Sequence, residues 1–541
     1  MSPANPLTAP ASAAVARRRT AFWLAAALVE LPVLQGLEWD FEHCAPLLLL
    51  APALWSGRDL VTRAVERFAQ SALWLRIAAF ALAAIITLST LRAAHAAAAT
   101  VAAAAWLMLA LGAGLAGQLV AEEPALARRL LAALALGAAV ATALHWIRWK
   151  LGAAPEAAYY PHHRLMGLHL LGGALAATAL WATARATWAL WLPVGVVTWG
   201  GLLWTGGRAP VLAVGLGLAV WWIRGSAALR RTLVLAAASQ LAGGLLLSWA
   251  LDPGLPHLGW IGSWQRTVAV SSTKELTSNR TDFWRDAWTH IQQAPWLGHG
   301  ADAYRFLEPK LEGAQPHNVE LQCLLDLGAP GTVIVLGLFA LALCRGLRRA
   351  PFDDAAAGWV ILAIASLAAG QLDGFFYHQV GLFAAALAFG ISLGSPSASA
   401  VVAPRAAHWV RAWPVFALAA AAVLLLHLWL YYHVARARPP LPGSAVARIW
   451  AAFPSATLGM DRWVEAWEPQ SPDAALALAR AGCRLSSQGD YFHMVTAGVL
   501  LRHGDRAGAL AEIDQALAIA PWQMRPVIAE QRRKIAGEGK P

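Results

Sequence analysis

The sequence predicts an all-α, polytopic membrane protein with about 12–13 transmembrane helices, a large extracytoplasmic loop and a helical C-terminal tail. Three observations predict this class. Of the 541 residues, 58% are hydrophobic and only 13% are charged, and the mean hydropathy is +0.50, which is far from the values of a soluble globular chain. Apolar runs long enough to cross a bilayer recur from residue 21 to about residue 433. Arginine clusters lie between these runs, as the positive-inside rule expects.

The first apolar run follows Arg17, Arg18 and Arg19 and lacks a convincing cleavage site, so we expect it to remain as an anchor. The predicted spans lie near 21–38, 44–57, 72–92, 96–119, 128–147, 165–183, 186–204, 209–223, 231–251, 328–345, 357–372, 376–395 and 409–432. A cytoplasmic N-terminus then places most arginine-rich connections in the cytoplasm. The same count places the loop 252–327 and the tail 434–541 outside, and makes 1–433 the transmembrane domain.

Several basic residues break the positive-inside rule because they fall on the outer side. They are Arg148, Lys150, Arg164, Arg208, Lys274, Arg280 and Arg285. Positive charge kept on the disfavoured side indicates an anionic ligand there. A miscounted span or simple solvation would also account for these residues.

The net charge of +11 and the 28 tryptophans do not indicate a nucleic-acid partner, because no zinc-finger or RNP motif is present. The four cysteines lie far apart with no CxxC spacing, so they define neither a zinc site nor a disulfide framework. The acidic residues Asp282, Asp286, Asp302 and Glu308 of the loop form no recognisable ligand pattern. We therefore predict no metal in the reaction.

The tail is Ala-rich, charged and amphipathic with a helical period. The small residues Ala497, Gly504, Ala509 and Ala516, with Pro521 after them, are spaced as in one tetratricopeptide unit. An ordinary helical hairpin that packs on the membrane domain is an equal alternative, because such repeats usually stack in threes.

The most informative part of the loop begins at Asn279-Arg280. A short helix is predicted over Asp282 to Gln293, with Phe283, Trp284, Ala287, Trp288 and Ile291 on its apolar face, and Pro295 ends it. His317 lies just before the next span, where an imidazole would meet the head groups of lipid-linked substrates.

These residues resemble the O-antigen ligase and polymerase superfamily. The matching elements are Asn279-Arg280, Trp284, Pro295 to Gly300, His317-Asn318 and Leu327-Gly328, together with Thr205-Gly206-Gly207-Arg208-Ala209. The resemblance covers roughly residues 160–395. Two positions depart from the family pattern: Gly207 replaces the usual serine, and Pro210 follows Arg208-Ala209. In addition, Tyr160 to Arg164 stands where relatives often carry an Asn-containing segment, so the resemblance does not define acceptor specificity.

The resemblance implies a GT-C-like glycosyltransferase of the bacterial inner membrane, with its catalytic loop and tail in the periplasm. It also implies transfer of a glycan from undecaprenyl diphosphate to an acceptor hydroxyl, with inversion at the sugar and with no metal or other cofactor. Guanidinium groups stabilise a diphosphate leaving group through charge-assisted, bidentate hydrogen bonds. We assign Arg208 and Arg280 to the diphosphate, with Arg164 and Arg285 as weaker candidates. We expect the loop to close over a cationic pocket that these arginines share.

The acceptor hydroxyl is a very weak acid, so a general base must take its proton during attack, and His317 is our candidate. In a purely structural role, His317 would instead make an ordinary hydrogen bond at a helix start. His290 and His299 are the alternative candidates for the base. Arg280 could instead bind lipid head groups, and Arg208 could cap a helix or extend from a span end. Trp284 and Trp288 could stack on sugars or belong to the aromatic belt at the membrane interface.

The acceptor stays open among three possibilities: lipid A-core for a ligase, a second lipid-linked glycan for a polymerase, and a protein serine or threonine for a protein O-oligosaccharyltransferase. The helical tail slightly favours the last. A glycolipid transporter or flippase is the alternative from another class, although the sequence carries no Walker motif and few acids within its spans.

Overall fold

The computed structural model describes residues 11–29, 45–93, 95–155, 163–183, 187–255, 258–269, 280–307, 315–348, 352–376, 379–394, 412–436, 444, 460–485, 489–520 and 524–537. Every regular element within these ranges is a helix, which confirms the all-α class. Tyr160 to His162, Lys274, Asn279, Glu308 and Pro521, all named above, lie outside them.

The helices follow the predicted spans closely, because long apolar runs without helix breakers form helices that satisfy all their own backbone hydrogen bonds in lipid. Before the tail they are Ala11–Val29, Ala45–Ser56, Arg58–Ala69, Leu73–Arg92, Ala96–Glu122, Ala125–Lys150, His163–Thr183, Trp188–Trp204, Arg208–Arg224, Ala227–Ala250, Gly259–Val268, Arg280–Gln293, Tyr304–Phe306 (a 3-10 turn), Val319–Leu347, Ala355–Gly370, Gln379–Leu393 and Trp413–Arg436.

Six of the helices in the described ranges are long and apolar enough to cross a membrane. They are Leu73–Arg92, Ala96–Glu122, Ala125–Lys150, Met166–Thr183, Ala227–Ala250 and Val319–Leu347. Four shorter apolar helices follow the same pattern: Trp188–Trp204, Ala355–Gly370, Gly381–Leu393 and Trp413–Trp429. The chain is therefore a polytopic membrane protein by length and composition, and the total of about thirteen spans remains a prediction.

The chain forms two compact units. The first comprises Met1–Phe80, Ala105–Leu276 and Ile334–Ala421. The helix His163–Thr183 lies at its centre, and small residues there allow close helix packing. A Cβ on Gly173 of this helix, for example, would collide with Cβ of Ala138 on the helix Ala125–Lys150.

The second unit comprises Ala81–Ala104, Thr277–Val333 and Ala422–Pro541, and so contains the predicted loop and the tail. The loop helix begins at Arg280, two residues earlier than predicted. The predicted span 328–345 is instead part of the longer helix Val319–Leu347, which is broken at Gly328, where φ is 66° and ψ is −177°. Pro330 lacks an N–H, and the glycine adopts a conformation that L side chains rarely reach, so the chain makes two helical pieces rather than one.

The tail forms five helices in the described ranges. They are Met460–Trp467, Pro472–Leu485, Gly489–Arg502, Arg506–Ile519 and Arg525–Ala536. The small residues Ala497, Ala509 and Ala516 are all buried, and Gly504 makes the turn between two helices with φ 81°. Each helix packs against the next along the chain, so the tail contains more helices than the single hairpin that its spacing indicated. The tetratricopeptide interpretation itself stays a prediction.

Candidate functional site

Arg280 is the first residue of the helix Arg280–Gln293, which we call the arginine helix. Its buried side carries Ala287 and Ile291, which pack with Tyr304 and Leu325 in a small apolar core. The predicted apolar face is only partly correct, because Trp288 is 51% exposed. The core anchors the middle of the helix, so the position of its first turn is set by packing within the loop.

His317 has a left-handed backbone conformation, with φ 54°. Such a conformation costs about 1–2 kcal/mol for a residue with a Cβ, and it clusters at functional sites. Asn318 follows as the cap of the next helix, because its Oδ1 accepts a 2.9 Å hydrogen bond from the N–H of Leu321. The backbone therefore turns sharply at His317 immediately before the helix begins.

The imidazole of His317 packs beside Phe283 on the first turn of the arginine helix. The two ring centroids are 5.8 Å apart, at an interplanar angle of 55°. Phe283 lies three residues after Arg280, and residues three apart share one side of a helix. The structure thus places His317 beside the first turn of the helix that Arg280 opens, within the second unit.

Three glycines allow the turn after the arginine helix to contact the backbone of the broken helix. Gly298, Gly300 and Gly328 all have positive φ values, of 67°, 102° and 66°. A Cβ on Gly298 would lie 2.6 Å from the carbonyl oxygens of Leu325 and Asp326, closer than real Cβ contacts occur. The spacing Pro295 to Gly300, together with Gly328, therefore encodes a close approach of two backbones.

Backbone hydrogen bonds join the two segments at this approach. The N–H of Ala329 donates to the carbonyl of Pro295 (2.8 Å), the N–H of His299 to Leu325 (2.6 Å), and the N–H of Gly300 to Asp326 (3.2 Å). The last two bonds satisfy the carbonyls of Leu325 and Asp326 before the break, and the first satisfies the N–H of Ala329 after it. We call this arrangement the loop clamp.

A buried pair of side chains adds to the clamp. The hydroxyl of Tyr304, which is 2% exposed, donates a 2.7 Å hydrogen bond to Oδ2 of Asp286 on the arginine helix. Burial, followed by the charge of Asp286 and this hydrogen bond, raises the pKa of Tyr304 well above its ordinary value. The phenol is therefore a hydrogen-bond donor at every physiological pH.

The clamp contains groups that the sequence analysis did not identify. The buried carboxylate of Asp326 accepts a 3.3 Å hydrogen bond from the N–H of Ala303, and Asp302 beside it has φ 60°. Neither Tyr304 nor Asp326 belongs to a recognised motif, so their roles depend on tertiary contacts. The pattern Gly-x-Pro at Gly328 could have indicated the broken helix.

His290 and His299, the alternative bases, lie inside this structure. Nε2 of His299 is 2.8 Å from the carbonyl oxygen of His290, and because a carbonyl only accepts, that nitrogen carries the proton. His290 is only 2% exposed. Both imidazoles therefore have surroundings that favour a structural role.

Arg208 is the first residue of a helix in the first unit. The preceding Gly206 has φ 64°, and Gly207 caps the helix with an extended conformation. The hydroxyl of Thr205 donates to the carbonyl of Leu202 (2.7 Å) and accepts from the N–H of Gly207 (3.4 Å). The segment is a short turn that ends one helix and begins the next at a half-buried arginine.

Trp204, one residue before this turn, is fully buried. Its indole N–H donates a 2.8 Å hydrogen bond to the carbonyl of Leu251. Its ring also contacts His145, with centroids 5.1 Å apart, and Trp149, with centroids 5.7 Å apart. Trp204 therefore anchors the helix end from which the turn to Arg208 begins.

Arg164 is the second residue of the helix His163–Thr183 and is exposed. Three residues later, a Cβ on Gly167 would lie 3.1 Å from Oγ1 of Thr205. The first turn of this helix thus passes close to the turn that precedes Arg208. The structure therefore brings the segments that carry Arg164 and Arg208 to one region of the first unit.

The remaining candidates, Arg285, Trp284 and Trp288, differ in exposure. The side chain of Arg285 is 81% exposed and pairs with Asp282 at 3.5 Å, one helical turn away. Nε1 of Trp284 is buried and has no hydrogen-bond acceptor within the described ranges. Trp288 offers an open indole face to a ligand or to the membrane interface.

Three candidate arginines share one structural feature, which is their position at the start of a helix. Arg208 and Arg280 are first residues, and Arg164 is a second residue. The helix macrodipole places partial positive charge at this end, so a cation there is unfavourable unless an anion is nearby. Backbone N–H groups and a guanidinium together make a site suited to phosphate.

A family model described as O-antigen ligase matches residues 168–336. A protein of Pseudomonas aeruginosa described as "O-antigen ligase" is 31% identical over 252 residues, which cover 44% of this chain and 56% of that protein. The chain therefore spans little more than half the length of this relative. The matched stretch includes Arg208, Arg280 and His317, and this part of the chain is similar to the O-antigen ligase family.

Proposed function

We propose that the protein transfers a glycan from undecaprenyl diphosphate to an acceptor hydroxyl, and that the acceptor is lipid A-core. One observation carries this proposal: the candidate arginines occupy helix N-termini, and His317 lies against the first turn of the arginine helix. The similarity of residues 168–336 to the O-antigen ligase family supports the same reaction class.

In the proposed reaction, the acceptor oxygen attacks the anomeric carbon of the lipid-linked glycan while the bond from that carbon to the diphosphate oxygen breaks. The acceptor proton passes to the imidazole of His317, and the electron pair of the broken bond stays on the diphosphate. Attack opposite the leaving group inverts the configuration at the sugar. Histidine is the side chain that most often serves as a general base in such proton transfers.

The arginines act on the leaving group. Charge grows on the diphosphate as the bond breaks, and Arg280 and Arg208 would stabilise it through charge-assisted hydrogen bonds. The positive helix ends add to this effect without reorganisation. Arg164 would assist Arg208, whereas Arg285 has a solvated partner in Asp282 and would contribute less.

The test begins with His317→Asn, because asparagine also tolerates a left-handed backbone and so preserves the turn. We expect a loss of transfer of at least ~100-fold, as is usual for removal of a general base, with lipid-linked glycan accumulating. Arg280→Lys keeps the charge but loses bidentate geometry, and we expect a loss of about 10²–10³-fold. The control is Arg285→Lys, which should retain most of the transfer.

Unchanged transfer by His317→Asn would contradict the proposed base. A transporter or flippase should keep much of its flux in this variant, so a flux assay on the same membranes separates the two classes. Restoration of activity to His317→Gly by added imidazole would support proton transfer at this position.

The acceptor requires a separate experiment in cells lacking the gene. Loss of long chains from lipopolysaccharide, with polymerised glycan left on its carrier, supports ligation to lipid A-core. Single-repeat glycans would instead indicate a polymerase. An unglycosylated protein with normal lipopolysaccharide would indicate a protein O-oligosaccharyltransferase, the alternative that the five-helix tail favours.

A further inference from the structure

Three different ligand side chains converge inside the tail. Cys483 lies near the end of the helix Pro472–Leu485, His493 in the first turns of Gly489–Arg502, and Glu512 in the middle of Arg506–Ile519. One potential ligand atom from each lies within 4.8 Å of the other two. Because the three helices are consecutive in the chain, the convergence depends on how they pack and is not visible as a sequence motif.

We propose that Cys483, His493 and Glu512 form a zinc site that joins these three helices. The chemistry of the set fits Zn²⁺, which binds thiolate, imidazole and carboxylate ligands in tetrahedral geometry. Three protein ligands leave the fourth position to water. The site is in the tail and is separate from the proposed transfer chemistry, which uses no metal.

Burial distinguishes this cluster from a solvated surface pair. The side chains of His493 and Glu512 are only 15% and 17% exposed, and Cys483 is a buried free thiol. Groups that can be charged rarely converge in such surroundings unless they are paired or bind a metal. The remaining exposure of His493 and Glu512 leaves a path by which an ion can enter.

The groups around the cluster orient its ligand atoms. Nδ1 of His493 is 2.7 Å from Oε2 of Glu512, while Nε of Arg480 is 3.7 Å from the other oxygen, Oε1. The hydroxyl of Thr496 lies 3.6 Å from Sγ of Cys483. Partners of this kind commonly orient metal ligands. A small separation of His493 from Glu512 would let the ion sit between them.

An ordinary ion pair between His493 and Glu512 is the competing explanation. In that explanation the thiol of Cys483 is simply a second hydrogen-bond partner of His493. The decisive observation is therefore whether a metal binds through the sulfur.

The test uses the full-length protein in detergent, stripped of metal and titrated with Co²⁺. We expect binding of about one ion per chain, with a sulfur-to-cobalt charge-transfer band in the near ultraviolet. Cys483→Ser should abolish the band, and Glu512→Gln should weaken binding by at least ~10-fold. Cys344→Ser is the matched control, because Cys344 is a free, exposed thiol, and it should behave like the wild type.

A band of equal strength in Cys483→Ser, or no band in the wild type, would overturn the proposal and leave the ion pair. A second measurement covers the case in which Cys483→Ser does not fold. X-ray absorption of the zinc-loaded wild type should show one sulfur at about 2.3 Å with nitrogen and oxygen ligands at about 2.0 Å. A spectrum with no sulfur neighbour would contradict the site independently of any variant.

Discussion

The N–H of Ala329 donates a 2.8 Å hydrogen bond to the carbonyl oxygen of Pro295. This contact joins Pro295, two residues after the end of the arginine helix, to the residue that follows the break at Gly328. Arg280 precedes Pro295 and His317 precedes Ala329 along the chain, so the loop clamp ties together the two segments that carry these functional candidates. The clamp is made mainly of backbone atoms, which explains why glycines are so frequent in it.

Gly328→Ala should disrupt the loop clamp. Its φ is 66°, and an added Cβ would lie 2.6 Å from the backbone nitrogen of Leu297. The left-handed conformation alone costs about 1–2 kcal/mol for alanine, and the collision adds to it. We expect faster proteolysis of the loop and at least ~10-fold lower transfer.

Gly337→Ala is the matched control, because it lies in the same helix and its Cβ would meet nothing within 4 Å. Alanine is the better helix former, so this variant should be as stable as the wild type or more so. Equal protease resistance in both variants would show that the break at Gly328 does not hold the loop.

Tyr304→Phe should loosen the arginine helix without changing the shape of its core. The change removes the 2.7 Å hydrogen bond to Asp286 and leaves a partly buried carboxylate without that donor, at a cost of about 1–3 kcal/mol. Hydrogen exchange along Arg280–Gln293 should rise, and transfer should fall. Tyr491→Phe is the control, since Tyr491 is 44% exposed and its bond to Asp461 is solvated; no change in exchange of the arginine helix is expected there.

Much of the fold could be predicted from the sequence, because apolar periodicity and span length determine helices in a bilayer. The helix Ala227–Ala250 was predicted as 231–251, and Leu73–Arg92 as 72–92. The helical piece before Gly328 was not included in the predicted span, because Glu320, Gln322 and Asp326 lower its hydropathy. The predicted span therefore starts at the break, and the left-handed conformation of Gly328 was not predicted.

The candidate site was predicted only in part, for a related physical reason. Motif resemblance selected Arg208 and Arg280, which begin helices, and His317, which lies two residues before one. Tyr304 and Asp326 act through contacts 18 and 23 residues away along the chain. No local pattern encodes such contacts, and the same holds for the Cys483 cluster in the tail.

Trp204→Phe should affect donor binding more than the chemical step. Phenylalanine keeps the aromatic contacts with His145 and Trp149 but loses the 2.8 Å hydrogen bond to the carbonyl of Leu251. Without this hydrogen bond, the turn before Arg208 would be able to shift. We expect KM for the lipid-linked donor to rise several-fold, with a smaller fall in kcat. Trp222→Phe, at a 47% exposed position of the helix that Arg208 opens, should leave both constants unchanged. A fall in kcat alone would contradict a positioning role through Arg208.

Acid should weaken the tail through Glu468. Its two carboxylate oxygens accept hydrogen bonds of 2.8 Å and 2.7 Å from Arg502, and this bonding lowers the pKa of Glu468. A carboxyl whose pKa is lower in the folded state adds stability above its unfolded value of about 4.3 and loses it as pH falls through the folded value. Arg502→Met should therefore destabilise the tail by up to about 1 kcal/mol at pH 7, and the difference from the wild type should shrink below pH ~4.

Arg533→Met is the control, because its pair with Glu530 lies within one exposed helix and should contribute less. Thermal unfolding of both variants at the two pH values measures the effect, and a difference that persists in acid would show that Glu468 is not its source.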